Sequence, residues 1–294
     1  MARSAQLEPD AGTVDELAAP VAYVPPDGDA ALRRRSLTDQ PWAPVVLGAI
    51  GILLSLAAWD MLSRSGFVSP QDLPPSREVV VSFFEQLRTS EFWGHVGNTL
   101  RSWSIGLALS ASIAIPVGLA LGSSWAFWRA LRPTVEFLRA VPGVALVPVA
   151  ILLWGQGIQG SVALIVFGSV WVLMINAMYG ARQLDEVARD TARVFGLNRV
   201  ERIRWLVVPG ALPYVATGLR IASAAALITA VTAELVIGSP GMGSAIAKAQ
   251  TAGATVKMYG LILGTGMLGL VTHLFFQRLE GHFLRWHLSQ QKAG

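Results

Sequence analysis

The chain has 294 residues, 53% of them hydrophobic, and only 42 charged side chains (23 Lys or Arg, 19 Asp or Glu). Ordinary soluble domains carry charge at about 25% of positions, whereas here the share is 14% and the mean hydropathy is +0.50. Residues 140–181 and 102–128 contain no Asp, Glu, Lys or Arg over 42 and 27 positions; a spanning helix needs about 20 apolar residues, so a soluble enzyme is excluded and an all-α polytopic membrane protein is expected.

The sequence pI of 9.8 does not indicate a nucleic-acid interface. The net charge is only +4, and the basic residues punctuate apolar segments instead of forming a stripe. With no cysteine there is no disulfide framework, thiolate metal site or thiol nucleophile.

In chain order, residues 1–42 hold five prolines, seven acids and four arginines without apolar periodicity, and are expected to form a disordered tail. A cleaved leader is not expected, because the first apolar stretch begins far from the terminus and is long enough to span. Residues 43–63 form the first span, with Asp60 as its only charge. Residues 64–95 form an external loop in which Leu73-Pro74-Pro75-Ser76 stops one helix and starts another, Ser76 serving as its cap. Val80, Phe83, Phe84 and Leu87 then recur at helical spacing, as in an amphipathic helix resting on the membrane surface.

Within residues 96–280 five further spans are predicted: 102–122, 142–154 with its flanks, 161–178, 216–238 and 258–277. Glycines at 155, 157 and 160 supply the tight turn between the third and fourth. Residues 281–294 are a short tail. With the amino terminus inside, fifteen Lys or Arg fall on inner segments and five on outer ones. By the positive-inside rule both termini are cytoplasmic.

Ten charges crowd into the 23 residues 182–204 of an inner loop that extends to 213. Leu184, Val187, Ala188, Thr191, Val194 and Phe195 mark one helical face. Gly196 falls where a helix end favours positive φ, and Asn198 with Glu201 forms a capping box for a second helix whose face is Val200, Ile203 and Val207. Pro209 and Pro213 are expected to end that helix and open the next span. Two short capped helices with apolar faces need something to pack on, and a soluble partner surface fits.

This loop resembles the EAA loop of type I ABC importer permeases: Asp190-Thr191-Ala192, three residues, Gly196, nine residues, then Leu206-Val207-Val208-Pro209. The departures are Asp190 for Glu, Thr191 for Ala, Leu206 for Ile and Val208 for Leu. Leu73-Pro74-Pro75-Ser76, Leu138-Arg139-Ala140-Val141-Pro142, Gly218-Leu219-Arg220-Ile221-Ala222, Ala233-Glu234-Leu235 and Gly241-Met242-Gly243 are similar to the taurine, alkanesulfonate and nitrate branch. Over residues 45–288 the resemblance implies a type I permease fold and a non-catalytic subunit importing a small solute such as a sulfonate, taurine or nitrate. It implies two ATPase subunits holding ATP and magnesium, a second permease copy, an external binding protein and a lipid bilayer, with no cofactor in this chain. It also implies ATPase coupling through Asp190, Thr191, Ala192, Gly196, Leu206 and Pro209.

No phosphate-binding Gly-x-x-x-x-Gly-Lys-Ser/Thr loop occurs in the chain. Charges within spans are functional by default. Glu234 is either an interface anchor or a gate partner. Arg139 is either an anchor near the inner edge or a group that attracts an anion within a broken helix. Arg220 reads as a snorkelling anchor. The competing class is a secondary transporter or channel without an ATPase partner, but the paired broken helices of such proteins are not repeated here. A membrane enzyme would need a convergent set of His, Asp or metal ligands, which four scattered histidines do not provide.

Overall fold

The computed structural model describes residues 42–69 and 71–283, without the side chains of Glu186, His282 and Phe283. Of the expected tails, 1–42 lies outside the described residues except for Trp42, and only 281–283 of 281–294 are described. Every regular element among the described residues is helical. The chain divides after Ala58 into two units.

Helix α1 (Ala43–Arg64) is an uninterrupted apolar run long enough to span, and Arg64 in its last turn complements the helix dipole. Its final turns, from Trp59 on, are tied to the following loop. Trp59 Nε1 donates to the Pro74 carbonyl at 2.9 Å, and Ser63 Oγ to the Leu73 carbonyl at 2.8 Å. Helix α2 (Ser76–Gln86) is present, but its cap differs from the expected one. Asp60 Oδ1 accepts from the Ser76 amide at 2.8 Å, so a carboxylate from α1 satisfies the free donor and the Ser76 side chain makes no capping bond. Val79, Phe83 and Gln86 are buried in packing against α11 (Thr255–Phe283), whereas Phe84 remains exposed.

Helix α3 (Ser90–Ser123) opens on the Thr89 cap and runs 34 residues, about 50 Å. It begins inside the expected 64–95 loop and well before the predicted span start at 102. It lies alongside α6 (Ile158–Arg182), and both pack on α9 (Val208–Ile237). Glycines set these separations. A Cβ on Gly118 or Gly122 would overlap the carbonyls of Met174 and Met178, and one on Gly218 would overlap Asn176. Small residues spaced four apart let helix backbones approach closely where lipid offers no hydrophobic drive to association. Ser110 and Ser169 hydroxyls share a buried hydrogen bond of 2.7 Å across α3 and α6, and Trp103 Nε1 donates to the Ser223 carbonyl of α9 at 2.9 Å.

The predicted third span over 142–154 is not one helix. Helix α4 (Trp125–Ala140) is followed by a 3₁₀ turn (Gly143–Leu146) and the eight-residue α5 (Val147–Trp154), about 12 Å long, with an 85° bend at the break. Pro142 offers no amide, and Val141 before it is pushed to extended angles (φ −71°, ψ 120°), so the helix cannot continue. Among the described residues five helices are long and apolar enough to cross a membrane, six if the bent pair counts as one span.

Pro209 does not separate the second loop helix from the fifth span. α8 (Arg199–Arg202) runs through a π-helical turn (Ile203–Val207) straight into α9. The wider turn, with the Val208 amide bonded to the Ile203 carbonyl, absorbs the amide that Pro209 lacks. Between α9 and α11 lies α10 (Met242–Thr251), an element not anticipated from the sequence.

Gly118→Ala is expected to lower the melting temperature of the detergent-solubilised chain by several degrees, because the backbone of α6 must shift. Gly97→Ala, in the same helix with nothing within 4 Å, is expected to leave it unchanged or raise it. Equal melting temperatures would contradict the backbone-contact account.

Candidate functional site

Three places in the structure gather the residues singled out above. The first is the loop unit. Helix α7 (Glu186–Val194) is capped by Asp185, whose carboxylate accepts from the Val187 amide at 3.0 Å. Gly196 closes it at φ +70°, with the Leu197 amide bonded to the Ala192 carbonyl, so the turn needs a residue that tolerates left-handed geometry. The α8 capping box forms in full: the Glu201 amide donates to Asn198 Oδ1 at 2.9 Å and the Asn198 amide to Glu201 Oε2 at 2.8 Å. Arg189 Nη2 donates to the Ala181 carbonyl at 2.6 Å, pinning α7 to the end of α6.

Within this unit Asp190 and Thr191 are exposed, Ala192 is buried, Gly196 is exposed, and Leu206 and Pro209 are half-buried. The six residues are therefore not one surface: Ala192 packs inward while Asp190 and Thr191 face out. Asp190 is engaged by Arg193 of its own helix at 2.7 Å. The apolar groups at least 67% exposed in this unit are Val187, Val194, Phe195, Val200 and Trp205. Isolated exposed apolar residues are ordinary, but here five lie uncovered within residues 187–205.

The second place is the far end of α9. Glu234 is fully buried, so it is not an interface anchor. Thr99 Oγ1 donates to its Oε2 at 2.8 Å, Ser102 Oγ to Oε1 at 3.3 Å, and the Gly243 amide to Oε2 at 3.1 Å. Thr99 Oγ1 also accepts from the Met242 amide at 2.9 Å. A Cβ on Gly241 or Gly243 would overlap Glu234 or the α9 backbone, so both glycines are needed for α10 to come this close. One carboxylate thus joins α3, α9 and the start of α10. Thr99 and Ser102 were not legible as partners, because they are 135 and 132 residues away in sequence. Arg220 is likewise no free anchor: its Nε lies 2.7 Å from Glu280 Oε2 on α11, without hydrogen-bonding alignment, and Thr217 Oγ1 donates to Glu280 Oε1 at 2.5 Å.

The third place is a cavity of about 280 Å³ where the broken α4–α5 segment meets α6 and α9. Arg139, Phe167, Trp171, Thr229 and Thr232 line it, and no Asp or Glu does. Gly168 of α6 is also on its wall, and Arg139, exposed and in the last turn of α4, lines it beside the 85° break. Among the described residues Arg139 has no ion pair. Trp171 Nε1 is buried without an acceptor, a state that costs about 1–3 kcal/mol.

Glu234→Ala leaves the Gly243 amide and two hydroxyls without their acceptor and is expected to lower the melting temperature by about 5 °C or more. Glu234→Gln, which keeps one acceptor oxygen, is expected to fall less. A melting temperature unchanged in Glu234→Ala would contradict the clamp.

Residues 114–285 match the family model described as binding-protein-dependent transport system inner membrane component. The chain is 30% identical over 244 residues to a putative aliphatic sulfonates transport permease protein of Bacillus subtilis, covering 82% of this chain and 88% of that protein. It is 28% identical over 242 residues to a nitrate import permease protein of Synechocystis sp., covering 80% and 88%. In fold it is similar to a chain of the inward-facing MetNI methionine ABC transporter, with a TM-score of 0.55 and 18% identity over 72% of this chain and 99% of that one. The chain belongs to the inner membrane permease components of binding-protein-dependent ABC transport systems.

Proposed function

We propose that two copies of this chain form the pathway for a small oxyanion, handed over by an external binding protein and driven inward by two ATPase subunits docked on the α7–Gly196–α8 unit. The observation that carries this reading is the unit itself: two short helices, rigidly capped and pinned to α6, that leave Val194, Phe195, Val200 and Trp205 uncovered. Helices this short hold their shape only when packed, and an apolar surface of this kind fits a groove on a soluble partner. ATP and magnesium belong to that partner, since this chain has no phosphate-binding loop.

Asp190 and Thr191 rim the docking surface, Ala192 seats the helix against its own support, and Gly196 sets the turn. Leu206 and Pro209 lie where α8 becomes α9, so motion of the docked unit passes into a spanning helix without a flexible joint. Glu234 holds α10 in place instead of meeting solute. The relatives named for sulfonates and for nitrate carry oxyanions, which suits a cavity with an unpaired arginine and no acid.

Gly196→Arg, at a φ of +70° that side chains other than Asn, Asp and Gly adopt at a cost of about 1–2 kcal/mol, is expected to leave the chain inserted. It is also expected to reduce substrate-stimulated ATP hydrolysis of the reconstituted importer at least tenfold, while Gly196→Asn retains it. Uptake that runs on an ion gradient without the ATPase subunits, or wild-type stimulation in Gly196→Arg, would contradict the proposal.

A further inference from the structure

We infer that the cavity at the broken third span is an oxyanion subsite within the permease itself, with Arg139 as its charge and Trp171 and Thr229 as neutral donors. The inference rests on the import of an oxyanion proposed above and adds which residues of this chain meet it.

The backbone supplies the first reason. Non-helical segments at membrane depth are tolerated only where protein buries them or they line a cavity. The break at Val141–Leu146 does the latter: Val141, Gly143 and Val144 are on the cavity wall. Arg139 is in the last turn of α4, just before the 85° break, and lines the cavity together with Phe167, Gly168 and Trp171 of α6. Arg139 is exposed in the isolated chain, and an ionisable group within a spanning segment is ordinarily paired. Arg139 has no ion-pair partner among the described residues, and no carboxylate lines the cavity. The guanidinium is therefore free to meet an anion that enters the cavity.

The donors supply the second reason. A guanidinium presents a planar fork that matches two oxygens of a sulfonate or nitrate. Trp171 Nε1, on the same wall, has a proton and no acceptor. Phe167 packs edge-on against that indole, with centroids 5.7 Å apart, and fixes its plane. Thr229 and Thr232 now donate to the carbonyls of Ala225 and Ile228 in their own helix, at 2.9 and 2.8 Å. Those carbonyls lie in a continuous helix, so a hydroxyl can rotate toward an anion without breaking the ladder. Gly168 sits directly against Thr229, so the hydroxyl is held at the wall by a close helix contact.

Size supplies the third. About 280 Å³ lies just under the roughly 300–1,000 Å³ usual for drug-sized ligands, which leaves room for a small oxyanion and not for a peptide or lipid. A cation is disfavoured by Arg139. A neutral isostere leaves the guanidinium unpaired.

The test uses the full-length chain in lipid nanodiscs, titrated with ethanesulfonate and separately with nitrate, with binding read by calorimetry. Tetramethylammonium and dimethyl sulfone serve as cationic and neutral controls. Saturable binding of both anions and not of the controls is expected. Arg139→Gln should weaken it tenfold or more, Arg139→Lys less, and Trp171→Phe several-fold, consistent with lost hydrogen bonds to a charged ligand. Each variant is checked for wild-type melting temperature and helicity, and the conservative pair Arg139→Lys and Trp171→Phe keeps the test valid if the glutamine variant does not fold. Absence of anion binding to the wild type, or binding within twofold of wild type in folded Arg139→Gln and Trp171→Phe, would overturn the subsite. A parallel measurement separates the two levels. If an oxyanion stimulates ATP hydrolysis of the assembled importer equally in the wild type and in Arg139→Gln, only the subsite fails. If no oxyanion stimulates the wild-type importer, the proposed function fails.

Discussion

The structure depends on the close approach of helices at Gly118, Gly122 and Gly218, against backbone carbonyls at the first two and against the Asn176 side chain at the third. Lipid tails are as apolar as leucine, so spanning helices gain little by hiding hydrophobic side chains from their surroundings. Close approach through small residues, with buried hydroxyl pairs such as Ser110–Ser169, supplies the attraction instead. Because α3 and α6 meet carbonyl to glycine, their register is set to within a residue. α9, which fits against both, inherits that register.

Everything functional hangs on α9. One end is continuous with α8 through the π-helical turn, so the loop unit and a spanning helix are one body. Thr229 and Thr232, in its last third, line the cavity. Its other end carries Glu234, whose carboxylate gathers donors from α3 and α10. Arg220 and Glu280 couple the same helix to α11. A helix of 30 residues, about 45 Å long, held at both ends and in the middle, moves as a unit between packed arrangements and does not bend gradually.

Local chemistry was legible in the sequence where it was local in space. Gly196, the Asn198–Glu201 box and the two short loop helices follow from spacing, because each is decided by residues within one turn. The spans at 43–63, 161–178 and 258–277 follow from the absence of charge. Where a distant partner decided the outcome, the sequence alone did not reveal it. Ser76 looked like a cap, yet Asp60 on another helix reaches its amide first. Glu234 read equally as anchor or gate, because its two hydroxyl partners lie more than 130 residues away. Arg139 read either as an anchor near the inner edge or as an anion-attracting group in a broken helix; Pro142 was visible, but that Arg139 shares a cavity with α6 and α9 beside the 85° break is a tertiary fact. Pro209 misled in the opposite direction, since a π turn can absorb a missing amide that would otherwise end a helix.

The central claim is that ATP-driven motion of the α7–α8 unit changes access to the cavity through α9. The chain has no cysteine, so a single Thr232→Cys reports on the cavity wall without background. In the assembled importer, its labelling rate with a membrane-impermeant thiol reagent is measured with ATP trapped and without nucleotide. A rate difference of about fivefold or more is predicted, abolished when Gly196→Arg is added. Equal rates in the two nucleotide states, in an importer that hydrolyses ATP on addition of its solute, would contradict the account.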